Sequence, residues 1–234
     1  MKPQLFLLLL LIGKTVFGQG VESQTNINQL GATNDPTQMV RQFDNRYQGI
    51  KGSPLFWDGY VSGVLKFKDG RIYRVKSLNY DLVDDSFIYK LESDNRVLVL
   101  KNAETFKADS SLCPEDFCFF KRFDFSNSEA PSGYFAVLAE GRNFFLCKIS
   151  KTILKADFKG AYSANQNMDR FIEERRFYIV DPDGKISLFK NSQKSVTELF
   201  PLNKNLIKDL ISKNNYKLKN PRDLISLLES IKNL

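Results

Sequence analysis

Apolar and polar residues alternate with a period of two through the middle of the chain, and tight turns separate the alternating runs. Four turns share one pattern, an acid, then Gly or Asn, then Arg or Lys: they lie at Asp69-Gly70, Asp94-Asn95, Glu140-Gly141 and Asp183-Gly184. A tight hairpin needs backbone with positive φ, which Gly and Asn tolerate. The flanks are rich in Phe, Tyr, Val and Ile, which suit a half-buried pleated surface. The pattern predicts four β-hairpins.

Two further segments, GYVSGVL and FCFFKRFDF, have the same strand character and extend the set. Successive turns are 25, 46 and 43 residues apart, which is too uneven for a propeller or a solenoid. We therefore predict an α+β fold that is mainly antiparallel β, with its β domain over residues 51–200.

The apolar period changes to that of a helix after residue 200. A first helix after Asn203 places Leu206, Ile207, Leu210 and Ile211 on one face. A second begins with an Asn-Pro-Arg-Asp sequence that caps a helix start, and its apolar stripe comprises Leu224, Ile225, Leu227, Leu228 and Ile231. We predict a helical hairpin over residues 201–234 that packs against the sheet, with partner binding as the alternative use of its apolar face.

The N-terminal residues 1–18 have the order of a secretory signal peptide. Lys2 precedes an apolar run of eight residues, Leu5 to Ile12, and Val16-Phe17-Gly18 supplies a cleavage site before Gln19. The run is far shorter than the roughly 20 residues that cross a bilayer. We expect export, a mature chain without a transmembrane segment, and a location in the periplasm or at the outer membrane or cell surface.

The composition of residues 19–50 predicts a polar leading segment that contains a short helix. Asp35 is placed to cap this helix, Pro36 occupies its first position, and Gly49 lies beyond its end.

The net charge and its distribution add little to the fold predicted from the apolar pattern. Loss of residues 1–18 removes two lysines and no acids, leaving 32 basic against 27 acidic residues, or +5. Residues 201–234 hold seven basic and three acidic residues, spaced as on the solvated face of amphipathic helices.

The absence of histidine from all 234 residues limits the chemistry. It removes the usual general base and the commonest metal ligand. Ser187 and Lys190 match an S-x-x-K spacing, but inside a predicted strand they point to opposite faces. A hydrolase that uses only carboxylates needs two across a cleft, and the stretches Asp84-Asp85 and Glu173-Glu174 could supply one each. We predict no catalytic site, no metal and no cofactor, and we read the DPDG at 181–184 as a turn because a calcium loop would need further ligands.

The cysteines suit a disulfide better than a metal or redox site. Cys113 and Cys118 are five positions apart, Cys147 is distant, and the spacing fits neither zinc nor a C-x-x-C centre. In an exported chain a disulfide is the default. We predict the pair Cys113–Cys118, with Cys118–Cys147 as the rival.

Aromatic residues are abundant, with 20 Phe and 9 Tyr, but they fall at core spacing in strands. Export also makes nucleic acid a poor partner. Trp57 and Tyr60 lie beside Pro and Gly in a predicted loop and are the candidate surface aromatics, but anchoring of the first strand is the preferred role.

Three segments, residues 51–85, 178–190 and 203–231, resemble exported proteins of unknown function from Bacteroidota. The shared features are a G-S-P before a strand that turns at K-D-G, a late tyrosine-containing hairpin and a lysine-rich helical hairpin. The resemblance implies export from a Gram-negative cell and implies no activity, ligand or site.

Three functions follow, in order of preference. The first is a non-catalytic envelope module that binds or assists another protein. The second is a binder of a small ligand or lipid in a β cavity lined by Phe and Tyr, and the third is the carboxylate-only hydrolase.

Overall fold

A computed structural model gives the fold. It describes residues 38–41, 47–91, 97–100, 103–109, 111, 113, 117–125, 130–156 and 168–234. The signal peptide, the predicted helix cap at Asp35 and the Asp94-Asn95 turn lie outside these residues.

The described part of the chain forms one antiparallel sheet of eleven strands. The strands are β1 (Gln38–Arg41), β2 (Val61–Phe67), β3 (Ile72–Asp81), β4 (Ser86–Lys90), β5 (Val97–Leu100), β6 (Ala103–Ala108), β7 (Phe119–Phe123), β8 (Gly133–Glu140), β9 (Phe144–Leu154), β10 (Arg170–Val180) and β11 (Ile186–Phe189). Their order in the sheet is β1-β5-β4-β3-β2-β6-β7-β8-β9-β10-β11. The mainly antiparallel β fold predicted from the alternation is confirmed.

The predicted hairpins are present. β2 pairs with β3 across Asp69-Gly70, and Gly70 has the positive φ of 87° that this turn needs. β8 pairs with β9 across Glu140-Gly141, and β10 pairs with β11 across Asp183-Gly184. β4 and β5 also pair antiparallel, as the fourth predicted hairpin requires.

The sheet is strongly curled. β4 and β8 are five steps apart in the sheet, which would separate them by about 24 Å if it were flat. Instead the rings of Phe87 on β4 and Tyr134 on β8 lie 4.7 Å apart, and the Tyr134 hydroxyl donates to the carbonyl of Ala103 at 2.7 Å. The curled sheet therefore encloses an aromatic core between its two halves.

Three helices pack against this main core: α1 (Gln193–Leu199), α2 (Lys204–Lys213) and α3 (Pro221–Ile231). The predicted cap of α3 is confirmed, because the Asn220 side chain accepts from the Arg222 amide at 2.9 Å. The apolar stripe of α3 and residues Ile207 and Ile211 of α2 pack in the same cluster as the strands, whereas Leu206 of the predicted α2 stripe is 49 % exposed. The C-terminal helices are thus part of the core.

Two local predictions were wrong. The capping pattern placed residues 38–41 in a short helix, but they form strand β1. The pairing of β1 with β5 supplies backbone hydrogen bonds that the local sequence pattern does not reveal. Residues 193–199, placed in the β domain, form helix α1. Its N-cap is Ser192, whose hydroxyl accepts from the Ser195 amide.

The disulfide Cys113–Cys118 is confirmed, with Cα atoms 5.2 Å apart. Cys147 is buried in the main core, so the rival pairing is not formed.

Replacement of both Cys113 and Cys118 by serine is expected to lower the free energy of unfolding by about 2 kcal/mol, because the bridge closes only a short loop in the unfolded chain. Urea unfolding of the variant and of the reduced native chain measures this. The two should agree, and an unchanged midpoint in both would contradict the expectation.

Candidate functional site

A second apolar cluster lies on the face of the sheet opposite the main core. We call it the outer patch, and its aromatic members are Phe123, Phe125, Phe135, Phe144 and Tyr178. Phe123 and Phe125 stack with ring centroids 5.5 Å apart and are only half-buried. Each meets the buried Phe135 ring edge-on. The outer patch therefore leaves aromatic surface in contact with solvent.

Basic side chains border this patch. The Lys121 ammonium lies 5.6 Å from the ring centroids of both Phe123 and Phe144. Such cation–π contacts keep the lysine over the rings. The surface there is both aromatic and positively charged.

An open cleft of about 480 Å³ adjoins the outer patch, and we call it the outer cleft. Its lining residues are Ala130, Arg176, Tyr178, Ile186, Ser187 and Leu188. The Arg176 guanidinium is held by the Glu174 carboxylate through two hydrogen bonds, of 2.7 and 3.1 Å. Leu188 remains 61 % exposed at the rim.

A second cleft of about 320 Å³ lies between β11 and α1, and we call it the α1 cleft. Its lining residues are Leu188, Phe189, Lys190, Ser192, Lys194, Ser195 and Glu198. Leu188 lines both clefts, so the two meet at the last strand of the sheet.

A buried polar cluster connects the turn after β3 to strands β8 and β9. The Lys148 ammonium donates to the Asp85 carboxylate at 2.6 Å and to the Tyr134 carbonyl at 3.0 Å. The same carboxylate accepts from the Tyr80 hydroxyl. Gly133 has a φ of 135°, and a Cβ there would lie 2.8 Å from the Lys148 ammonium. The cluster therefore needs a glycine beside it and fastens the two halves of the curled sheet together.

Burial shifts the pKa values of the ionisable side chains in and beside this cluster. Desolvation, followed by the nearby Asp85 charge, raises the pKa of Tyr80 well above its ordinary value. Desolvation raises the pKa of Tyr134 to about 12. Desolvation lowers the pKa of Lys148, and Asp85 opposes that effect. The hydroxyls stay neutral at physiological pH, and the Lys148 ammonium joins the Asp85 carboxylate to the Tyr134 carbonyl, so the cluster is suited to holding the fold.

These shifts predict alkaline instability. The unfolded chain loses tyrosine protons near pH 10, whereas the folded chain keeps that of Tyr134 until about pH 12. The folded state binds more protons in this window, so stability falls there as pH rises, by about 3 kcal/mol for Tyr134. The lowered pKa of Lys148 acts oppositely only up to about pH 10.5.

Urea unfolding at pH 9 and pH 11.5 measures the loss. Tyr134→Phe should lose less stability between these two pH values than the native chain does. Equal losses in the two proteins would contradict the assignment to Tyr134.

The two candidate surface aromatics differ in their exposure to solvent. Trp57 is only 4 % exposed and meets the rings of Phe106 and Phe120 edge-on at 5.7 Å, so it is not a surface aromatic and takes the preferred anchoring role. Buried Asn79 holds its loop by donating to the Trp57 carbonyl at 2.9 Å. Tyr60 is 37 % exposed, with the Lys90 ammonium 5.8 Å from its ring centroid. The structure does not bring the two rings together.

The candidate hydrolase acids lie beside bases. Glu173 pairs with Arg175 at 2.8 Å and Glu174 with Arg176 at 2.7 Å, while Asp85 pairs with Lys148. Asp181 accepts from the amide of Lys185 at 2.8 Å within its own turn. Ser187 lies in β11, as the strand interpretation of its S-x-x-K spacing requires.

The outer patch was missed by sequence reasoning, although a signal was present. Phe123 and Phe125 alternate with polar residues, and the apolar runs YFAVLA in β8 and FFLC in β9 have no polar face. A strand that is apolar on both faces is covered on both. The runs therefore indicated a second buried surface beyond the main core.

Within the described residues, no group of three or more Cys, Asp or Glu side chains is placed to hold a metal ion. None of the helices in the described residues is long and apolar enough to cross a membrane. Comparison of the chain with protein-family models, with curated proteins and with solved structures found no match.

Proposed function

We propose that this chain is an exported, non-catalytic binding module of the cell envelope that contacts another protein through the outer face of its sheet. The observation that carries the proposal is the half-exposed aromatic surface of the outer patch, continued by Leu188 at 61 % exposure. Contiguous apolar surface rimmed by polar residues is typical of interaction sites. The signal-like residues 1–18 and the resemblance to exported Bacteroidota proteins support export, to the periplasm or the outer membrane.

The core supports a binding role for the outer face over a β cavity. Large aromatic side chains of the main core, such as Phe87, Phe106 and Phe120, are fully buried and pack against one another. The two clefts described above lie on the outside of the molecule. Aromatic residues exposed at a surface favour protein contacts, since they bring large area at low entropic cost.

Capture from envelope fractions tests the proposal. The mature chain, Leu188→Asp and Leu202→Asp are immobilised in parallel; Leu202 is 99 % exposed and lies in the short 3₁₀ turn Pro201–Asn203 before α2, so it is the matched control. A stoichiometric protein should be retained by the native chain and by Leu202→Asp and lost from Leu188→Asp. Absence of such a protein, or equal retention by all three, would sink the proposal.

A small ligand in the outer cleft is the second candidate. Its volume of about 480 Å³ falls in the usual range of ligand sites, and Tyr178 and Arg176 offer a ring and a cation. Native mass spectrometry of the chain purified from its own cells distinguishes the two. A bound small molecule that Tyr178→Ala releases would favour the ligand over the protein.

A further inference from the structure

Strand β11 ends the sheet in the part of the chain that the structure describes. The Asp181 amide donates to the Lys185 carbonyl at 3.0 Å and closes the β10–β11 turn. Hydrogen-bonded pairs alternate along an antiparallel ladder, so Ser187 and Phe189 direct their backbone groups toward β10. The amides and carbonyls of Ile186 and Leu188 therefore point away from the sheet.

The next outward position along this edge is already satisfied. The Lys190 amide donates to the Ser195 hydroxyl at 2.9 Å, and its carbonyl accepts from the Ser192 amide at 2.8 Å. The start of α1 thus closes the edge at Lys190. Between that point and the turn, Ile186 and Leu188 present two donors and two acceptors in the geometry that an added strand needs.

A cleft lies on each side of this edge. The outer cleft is lined by Ile186, Ser187 and Leu188 on the face of the outer patch. The α1 cleft is lined by Leu188 and Phe189 on the side of the helices. Successive side chains of a strand point to opposite faces. An added strand would therefore place alternate side chains in the two clefts, the arrangement by which such strands obtain specificity.

The charged residues that line the two clefts indicate which kind of added strand the edge would bind. Lys190, Lys194 and Glu198 line the α1 cleft, so it carries two cations and one anion. Arg176 adds a further cation in the outer cleft, although Glu174 holds it. A second copy of the chain paired through the same edge would bring like charges together, which is unfavourable. An acidic strand is complementary to the edge.

We propose that an extended, acidic segment of the partner protein adds as a strand to the edge formed by Ile186 and Leu188. This inference rests on the proposed function and specifies its partner. Backbone hydrogen bonds to Ile186 and Leu188 provide the affinity. Apolar side chains enter the outer cleft, and acidic ones face Lys190 and Lys194.

Amide exchange measured by NMR tests the proposal on the mature chain. The probes are the synthetic heptapeptides EVEVEVE and KVKVKVK, with EVEPEVE as a control that cannot pair as a strand. EVEVEVE should slow exchange at the amides of Ile186 and Leu188 at least tenfold and leave those of Ser187 and Phe189, which are already bonded, unchanged. KVKVKVK and EVEPEVE should protect neither. Docking by side chains alone would not produce this alternation.

A pair of variants separates backbone from side chain. The Leu188 amide points away from β10, so Leu188→Pro removes this donor without breaking a bond to β10. Edge strands accept proline at such a position. Leu188→Ala keeps the amide. EVEVEVE binding should fall at least tenfold more in Leu188→Pro than in Leu188→Ala, with circular dichroism confirming that both are folded. If Leu188→Pro does not fold, the exchange pattern of the native chain decides alone.

Failure of this proposal is distinguishable from failure of the proposed function. A captured protein sensitive to Leu188→Asp, together with no protection of Ile186 and Leu188 by EVEVEVE, would overturn strand addition and leave the outer face as the binding surface. Equal protection by EVEVEVE and KVKVKVK would overturn the choice of an acidic strand.

Discussion

Removal of residues 201–234 is expected to unfold the protein. Seven of these side chains are buried in the main core, at 8 % exposure or less, and they are Ile207, Ile211, Leu218, Leu224, Leu227, Leu228 and Ile231. Burial of one such side chain contributes about 1.5–3 kcal/mol, so their loss removes roughly 10–20 kcal/mol. A domain is stable by only about 5–15 kcal/mol. The truncated chain should be insoluble or degraded.

Backbone contacts add to this dependence. The Asn143 amide, in the turn between β8 and β9, donates to the Lys232 carbonyl at 2.9 Å, and its side chain donates to the carbonyls of Lys232 and Leu234. The Arg142 amide donates to the Asn233 side chain at 3.1 Å. Truncation would leave the buried Asn143 without these partners, at a further cost of about 1–3 kcal/mol.

Point variants provide the control for truncation. Leu227→Ala should lower the free energy of unfolding by about 2–5 kcal/mol, whereas Leu202→Ala, at an exposed position, should change it by about 0.5 kcal/mol or less. Urea unfolding measures both. A folded truncated chain would show that these helices are an appendix. Equal effects of the two point variants would contradict the burial of Leu227.

Phe87→Ala is expected to have the largest effect of any single substitution in the sheet. Phe87 is fully buried, and its ring contacts those of Tyr80, Phe106, Phe120 and Tyr134 at centroid distances between 4.7 and 6.1 Å. Truncation of a buried Phe to Ala costs about 3–5 kcal/mol, because a cavity replaces the lost contacts. The half-buried Phe123 of the outer patch is the matched control, and Phe123→Ala should cost clearly less.

A double-mutant cycle tests the curl of the sheet through the same residue. Phe87→Leu and Tyr134→Leu, singly and together, measure the coupling between β4 and β8. Edge-to-face aromatic pairs contribute about 0.5–1.5 kcal/mol beyond their buried area. A coupling in this range is expected. Additive effects would mean that the two strands do not meet, because distant sites add independently.

Local features of this fold could be predicted wherever the sequence determines the backbone directly. The Asp69-Gly70, Glu140-Gly141 and Asp183-Gly184 turns each impose a reversal, and the flanking alternation then fixes the strands. Asn220 and Pro221 likewise determine the start of α3. In each case the information lies within a few neighbouring residues.

Other features depend on partners far away in sequence. Residues 38–41 carry a helix pattern before them but pair with Val97–Leu100, and no local signal reports that pairing. Asp85 and Lys148 are 63 positions apart and meet only because the sheet curls. The same holds for the outer cleft, where Ala130 meets residues of β10 and β11. Trp57 was ambiguous because a loop beside Pro and Gly can fold inward as readily as outward.

Site-specific photo-crosslinking tests most directly the central claim, that the outer face at β10–β11 binds another protein. A benzophenone amino acid replaces Leu188 in one chain and Leu202 in another, since both positions are exposed, at 61 % and 99 %. Irradiation in the envelope fraction should attach one protein to position 188 and none to position 202. The same product from both positions, or no product from position 188, would contradict the claim.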